Sequence, residues 1–161
     1  MSIEKVKAYF RQYDMESKVL EFGTSSATVE LAANALHCEP ARIAKTLSFR
    51  HDDSCIIVVM AGDAKIDNKK FKQKFGMKAR MLSAEEVDVL VGHSIGGVCP
   101  FAINSEIPVY LDVSMQRFET VFPACGSSNS AIELTCGELA KYANLQEWVD
   151  VCKGWQDSAS Q

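Results

Sequence analysis

Thr46-Leu47-Ser48-Phe49-Arg50-His51-Asp52-Asp53-Ser54-Cys55-Ile56-Ile57-Val58-Val59-Met60-Ala61 decides the fold of this chain. Its second half is a continuous β-branched apolar run, the pattern of a strand covered on both faces. The polar quartet His51 to Ser54 reads as a turn, and Thr46 to Arg50 before it as a partner strand, so the stretch predicts a hairpin with Cys55–Ala61 as the central strand.

Outward from that hairpin, helices and strands mix without strict alternation. Ile3, Val6 and Phe10 repeat at helical spacing behind Ser2, predicting a first helix to about Tyr13. Lys18 to Phe22 reads as a short strand. Ser25 or Ser26 is placed to cap a second helix bearing Val29, Ala32, Ala33 and Leu36 on one face. Pro40 starts a short helical turn, Ala41 to Ala44, that delivers Lys45 to the hairpin. Downstream, Asp67 caps a helix stopped by Gly76, Lys78 and Arg80 fall on a following strand, and Ser83 with Glu86 forms a capping box. Strands are expected at Pro108 to Asp112, Thr120 to Ala124 and Ala131 to Leu134, with a short helix from Ser114 to Glu119. Thr135 and Asn144 are read as caps of two C-terminal helical segments carrying Leu139, Leu145, Trp148 and Val149 inward. A second hairpin is expected around the Cys125 loop. These elements predict an α+β fold: one domain, residues 1–155, built on a mixed, mostly antiparallel and barrel-like sheet flanked by helices, with a frayed tail at 156–161.

Composition narrows the function classes. In 161 residues, 47% hydrophobic and 24% charged, neither disorder nor a fibrous class is indicated. The longest apolar run is strand-sized and the start lacks a signal peptide, so a cytoplasmic protein without a membrane partner is expected. The six cysteines show no Cys-x-x-Cys pair and three histidines are spread across the chain, so neither a metal nor a cofactor is expected. A net charge of −4 argues against gripping long DNA or RNA by phosphate neutralisation, but not against holding one nucleic-acid end. Lys69, Lys70, Lys72 and Lys74, with Lys78 and Arg80, form a basic cluster that fits either a solvated helix face or a rail for a polyanion.

Two loops stand out. Gly92-His93-Ser94-Ile95-Gly96-Gly97-Val98-Cys99-Pro100-Phe101 places two residues without Cβ side by side and then stiffens at Pro100, which suits close approach of main-chain amides to a carbonyl or phosphate oxygen. Cys125-Gly126-Ser127-Ser128-Asn129-Ser130 is a second polar loop. Among side chains with chemistry, Cys99 with His93 six residues earlier fits a nucleophile and base. Lys45 fits either a snorkelling surface lysine or a cation pointed into a cleft.

Taken together, Ala41-Arg42-Ile43-Ala44-Lys45-Thr46-Leu47, Gly62-Asp63-x-Lys65-x-Asp67, Gly96-Gly97-Val98-Cys99-Pro100-Phe101 and the Gly126-Ser127 loop resemble, in order and spacing, the YbaK-like aminoacyl-tRNA editing family, which includes the editing domain inserted in bacterial prolyl-tRNA synthetase. The resemblance spans roughly residues 1 to 150. It implies a free-standing deacylase that hydrolyses the ester joining a wrong amino acid to the terminal ribose of a tRNA, with no metal and no protein nucleophile. It implies Lys45 as the catalytic residue, and substrate binding by Phe22, Thr46, Gly62, Asp63, Gly96, Gly97, Val98, Cys99, Pro100, Phe101, Gly126, Ser127 and Ser128. The implied partners are the acceptor end of a mischarged tRNA and an aminoacyl-tRNA synthetase. The alternative is a binding module that keeps the pocket without turnover. Three positions depart from the family pattern: Cys99 where serine is common, Ala102 where glycine is common, and Ala131 where some members carry aspartate.

Overall fold

The computed structural model describes residues 2–155, and the tail expected at 156–161 lies outside them. In chain order the elements are α1 (Ser2–Arg11), β1 (Leu20–Glu21), α2 (Val29–Leu36), β2 (Ile43–His51), β3 (Ser54–Ala61), β4 (Lys65–Ile66), α3 (Asn68–Phe75), α4 (Ala84–Leu90), β5 (Val109–Asp112), β6 (Thr120–Pro123), β7 (Ser130–Ala131), β8 (Leu134–Thr135), α5 (Cys136–Tyr142), β9 (Glu147–Val149) and β10 (Cys152–Lys153).

The predicted hairpin is β2–β3, antiparallel from Ala44↔Ala61 to His51↔Ser54. Asp52 closes its turn at φ +52, a conformation aspartate tolerates better than most residues. The hairpin forms the middle of a six-stranded mixed sheet, β8-β6-β2-β3-β5-β9, that curls into a half-barrel. The β2–β6, β3–β5 and β5–β9 pairings are parallel, while β6–β8 and the small pairs β1–β7 and β10–β4 are antiparallel. From Cys55 to Ala61 every residue of β3 is buried, which is what its unbroken apolar run requires. A cluster of aromatic rings closes the core: Phe10 packs on Phe101 and Tyr142, and Phe71 on Phe49 and Phe75.

Several local expectations hold. Asp67 accepts from the N–H groups of Lys69 and Lys70, Gly76 ends α3 at φ +71, and both capping boxes, Ser83/Glu86 and Thr135/Glu138, are formed. Other boundaries move. Thr28, not Ser25 or Ser26, caps α2, because Ser26 is drawn away to bond Ser128. Lys78 and Arg80 lie in an extended connection, where only Met81 makes an isolated bridge, to Phe49. The turns at Pro40–Arg42 and Val113–Arg117 are 3-10 helices, and Lys45 falls inside β2 rather than at its start.

The largest correction is at Asn144. It adopts φ +56 directly after α5, a helix-stopping conformation, and Glu147–Val149 then pairs with the edge of β5 instead of forming a helix. That edge also takes the N–H of Gln146 on Val109 O. The lysines of α3 are partly used in holding this region: Lys70 pairs with Asp150 at 3.1 Å and Lys74 with Glu147 at 2.7 Å.

Candidate active site

A cavity of about 320 Å3 opens on the side of β2 away from β3. The start of α2 (Thr28, Val29, Ala32) forms one wall, and β2 from Ile43 to Ser48 forms the floor. Met81, Leu82 and Val87 close one end, while Ile95, Gly96 and Val98 come from the Gly-rich loop. Phe122, Ala124, Ser130 and Ala131 supply the rest. Small residues make the space: alanine at 32, 44, 124 and 131 leaves room that a larger aliphatic chain would fill. Met81 and Ile95 are 58% and 64% exposed at positions that border it.

Among the described residues Lys45 is the sole ionisable side chain in this wall. Its ammonium donates to the Gly62 carbonyl at 3.5 Å, a long contact that leaves most of its donor capacity unused. Burial lowers its pKa below the ordinary lysine value, with Cys152 and Asp63 acting in the opposite direction. Gly62 is glycine because a Cβ there would stand 2.1 Å from the Pro40 carbonyl oxygen. Lys45 is therefore held against a closely packed turn.

The two loops singled out in the sequence lock together. A Cβ on Gly97 would lie 2.6 Å from Ser127 N and 2.8 Å from Gly126 C. Gly96 has φ +96 and faces Ala27 and Ser128. Segment 22–26 ties down the second loop: Phe22 exchanges bonds with Asn129, and Ser26 N–H donates to Ser128 O. Within the first loop, the Gly97 N–H is consumed by Ser94 O at 3.0 Å, whereas Gly96 and Val98 line the cavity and their N–H groups meet no protein acceptor among the described residues.

Of the residues nominated by resemblance, Lys45, Thr46, Gly96 and Val98 meet at the cavity. Gly97, Cys99, Pro100, Phe101 and Gly126 are buried and do not line it. Gly62 is the acceptor for Lys45. Asp63 makes a two-pronged ion pair with Arg117 (3.0 and 2.6 Å), whose guanidinium stacks on Phe118 and Trp155. Phe22, Ser127 and Ser128 brace the second loop. Sequence reasoning had no residue in α2 or at 81–87 as a site candidate, and the small residues at 32, 44 and 124, far apart in the chain, are brought to one hollow only by the fold.

Cys99 and His93 do adjoin, with Sγ 3.5 Å from Nε2, but both are fully buried. Burial pushes the Cys99 thiol up to about 12 and lowers the His93 pKa, and His93 Nε2 lies 2.8 Å from Phe101 O. A thiol that stays protonated and walled off is no nucleophile, so the cysteine-hydrolase reading is not supported.

Residues 24–142 match the family model of the aminoacyl-tRNA editing domain. The chain belongs to that family. It is 57% identical over 157 residues to the Bacillus subtilis protein YwhH, covering 97% of this chain and 100% of that one. It is 27% identical over 139 residues to an Enterococcus faecalis protein, EbsC, whose name proposes a Cys-tRNA(Pro)/Cys-tRNA(Cys) deacylase (84% of this chain, 85% of that one). A crystal structure described as a proposed trans-editing enzyme for prolyl-tRNA synthetase superposes with a TM-score of 0.85 at 28% identity, covering 95% of this chain and 98% of that one. The editing-domain fold expected from the sequence is the one found, and aminoacyl-tRNA is the class of molecule on which this family acts. Among the described residues no helix is long and apolar enough to cross a membrane.

Proposed function

We propose that this chain hydrolyses the ester of a mischarged aminoacyl-tRNA in trans, with the acceptor end of the tRNA entering the cavity on β2. One observation carries the reading: among the described residues the wall holds a single cation and no carboxylate, imidazole or thiol. Serine and threonine hydroxyls also line the cavity, but no carboxylate, imidazole or thiol stands among the described lining residues to activate them. What it offers is positive charge beside fixed main-chain donors, which suits the oxyanion that develops when an activated ester is attacked.

Water supplies the attack, with a hydroxyl of the terminal ribose acting as its local base. The new C–O bond forms at the acyl carbon and the bond to the ribose oxygen breaks. That oxygen takes a proton, releasing the amino acid and a free tRNA end. Lys45 faces the acyl oxygen, and the Gly96 and Val98 amides are the loop donors available to it. With Lys45 committed to the acyl oxygen, the rest of the wall gives no counter-charge to a charged amino-acid side chain, so the residue removed is uncharged. Gripping only an acceptor end fits a net charge of −4, since few phosphates need neutralising. A synthetase that makes the error is the implied partner.

The lack of a general base also suits a binding module without turnover. Incubation with a panel of labelled misacylated tRNAs separates the two. Release from one or more species supports hydrolysis, and binding without release from any establishes the module instead.

A further inference from the structure

The edge of β2 carries a gap that neither the family assignment nor the Lys45 chemistry explains. Successive residues of a strand aim their main-chain N–H and C=O at opposite edges. Ile57 N–H donates to Pro108 O on the β5 side, so Ile57, Val59 and Ala61 face β5 while Ile56, Val58 and Met60 face β2. Through the hairpin register their partners Phe49, Leu47 and Lys45 face β3. Ala44, Thr46, Ser48 and Arg50 must then face the outer edge. Three of these four meet a neighbouring segment through at least one main-chain group: Ala44 lies in the ladder with β6, Ser48 O accepts Leu82 N–H at 3.2 Å, and Arg50 N–H donates to Arg80 O at 2.8 Å. Thr46 has no strand beside it and lines the cavity. Its own hydroxyl does not cap the gap, because Oγ1 is buried and meets no partner among the described residues.

We propose that the aminoacyl group of the substrate docks in this gap as one extra residue of sheet. Its α-ammonium donates to Thr46 C=O, and its acyl oxygen accepts from Thr46 N–H. One outward-facing residue between two paired flanks is the length of a single α-amino acid unit, whose donor and acceptor match those of Thr46 as in an antiparallel pair. The gap therefore selects a free amino group and excludes peptidyl and N-acylated esters, whose extra unit would run into the flanking segments at 80–82 or 123–124. Thr46 acts as a positioning and selectivity residue. This rests on the deacylase reading above and is tested separately from it.

The experiment compares the aminoacyl-tRNA most rapidly hydrolysed with its N-acetyl derivative, each enzymatic rate divided by the spontaneous rate of the same ester. Loss of a charge-assisted hydrogen bond predicts at least about a tenfold preference for the free amine. Thr46→Pro removes the N–H that meets the acyl oxygen and puts its ring into the gap, so the docked unit can no longer reach Thr46 C=O; because that N–H makes no ladder bond, the variant should fold and lose that preference. Equal acceleration of both esters overturns the proposal. In parallel, 15N-labelled wild-type protein is titrated with 3′-(aminoacylamino)-3′-deoxyadenosines bearing alanyl, seryl or cysteinyl groups, free or N-acetylated. A Thr46 amide shift with the free amines that N-acetylation abolishes supports docking even if no ester is cleaved, in which case the deacylase reading alone fails. Shifts at Gly96 and Val98 without Thr46, identical shifts with N-acetyl forms, or no binding overturn it.

Discussion

Replacing Lys45 by methionine keeps the aliphatic stem and deletes only the charge, which makes it the sharpest test of the site. In the free protein the ammonium makes one hydrogen bond among the described residues, to Gly62 O at the long distance of 3.5 Å. Such a bond contributes at most about 1 kcal/mol. Opposing it is the cost of holding a charge in a partly buried place, which also lowers the Lys45 pKa. The two nearly cancel, so Lys45→Met should shift Tm by less than about 3 °C for a chain of this size. Activity should behave differently. Removing the one cation opposite a developing oxyanion costs about 10²–10³ in kcat, or about 3–4 kcal/mol of transition-state stabilisation. The assay is single-turnover release of labelled amino acid from mischarged tRNA, with thermal unfolding on the same samples. Turnover within threefold of wild type would refute the role assigned to Lys45, and a Tm loss of 8 °C or more would make its role structural. The pH dependence gives a second check. The folded protein holds the lysine proton less tightly than the unfolded chain, so between the lowered pKa and the ordinary value of 10.5 the unfolded state binds more protons and stability rises with pH. Over that window the ammonium is lost and enzymatic deacylation, corrected for spontaneous hydrolysis, should fall. In Lys45→Met both trends should vanish.

Three further outcomes follow from the packing. Gly97→Ala places a methyl 2.6 Å from Ser127 N, a main-chain atom that cannot swing aside, so stability should drop by about 1–3 kcal/mol and kcat/KM should fall with it; an unchanged Tm would show that the two loops are not locked. Ala102 sits at φ +57, so Ala102→Gly relieves about 1–2 kcal/mol of strain and returns about half in unfolded-chain entropy, raising Tm by about 1–3 °C on thermal unfolding, whereas a fall would contradict the strain. Cys99 and Cys125, buried with thiol pKa values raised by that burial, should resist iodoacetamide in native protein and react after denaturation; rapid native labelling of Cys99 on peptide mapping would reopen its role as a nucleophile.

Local chemistry was legible in the sequence wherever a residue's role depends on its near neighbours. The Cys55–Ala61 run, the Asp67, Ser83 and Thr135 caps, and the stop at Gly76 need only a few adjacent residues to act, and the structure places them accordingly. Resemblance carried the family and the nomination of Lys45. Tertiary structure decided what depends on partners far along the chain. Glu147–Val149 is a strand because β5 left an edge for it, and Thr28 caps α2 because Ser128, about a hundred residues away, holds Ser26. Gly96 and Gly97 look alike in sequence, yet one lines the cavity and the other is pressed against Ser127 with its N–H spent on Ser94. The gap at Thr46 has no sequence signature at all. It exists because β6 stops at Pro123 and the 80–82 segment pairs no further back than Ser48, and where a neighbouring strand ends is fixed by packing rather than by the strand it leaves bare.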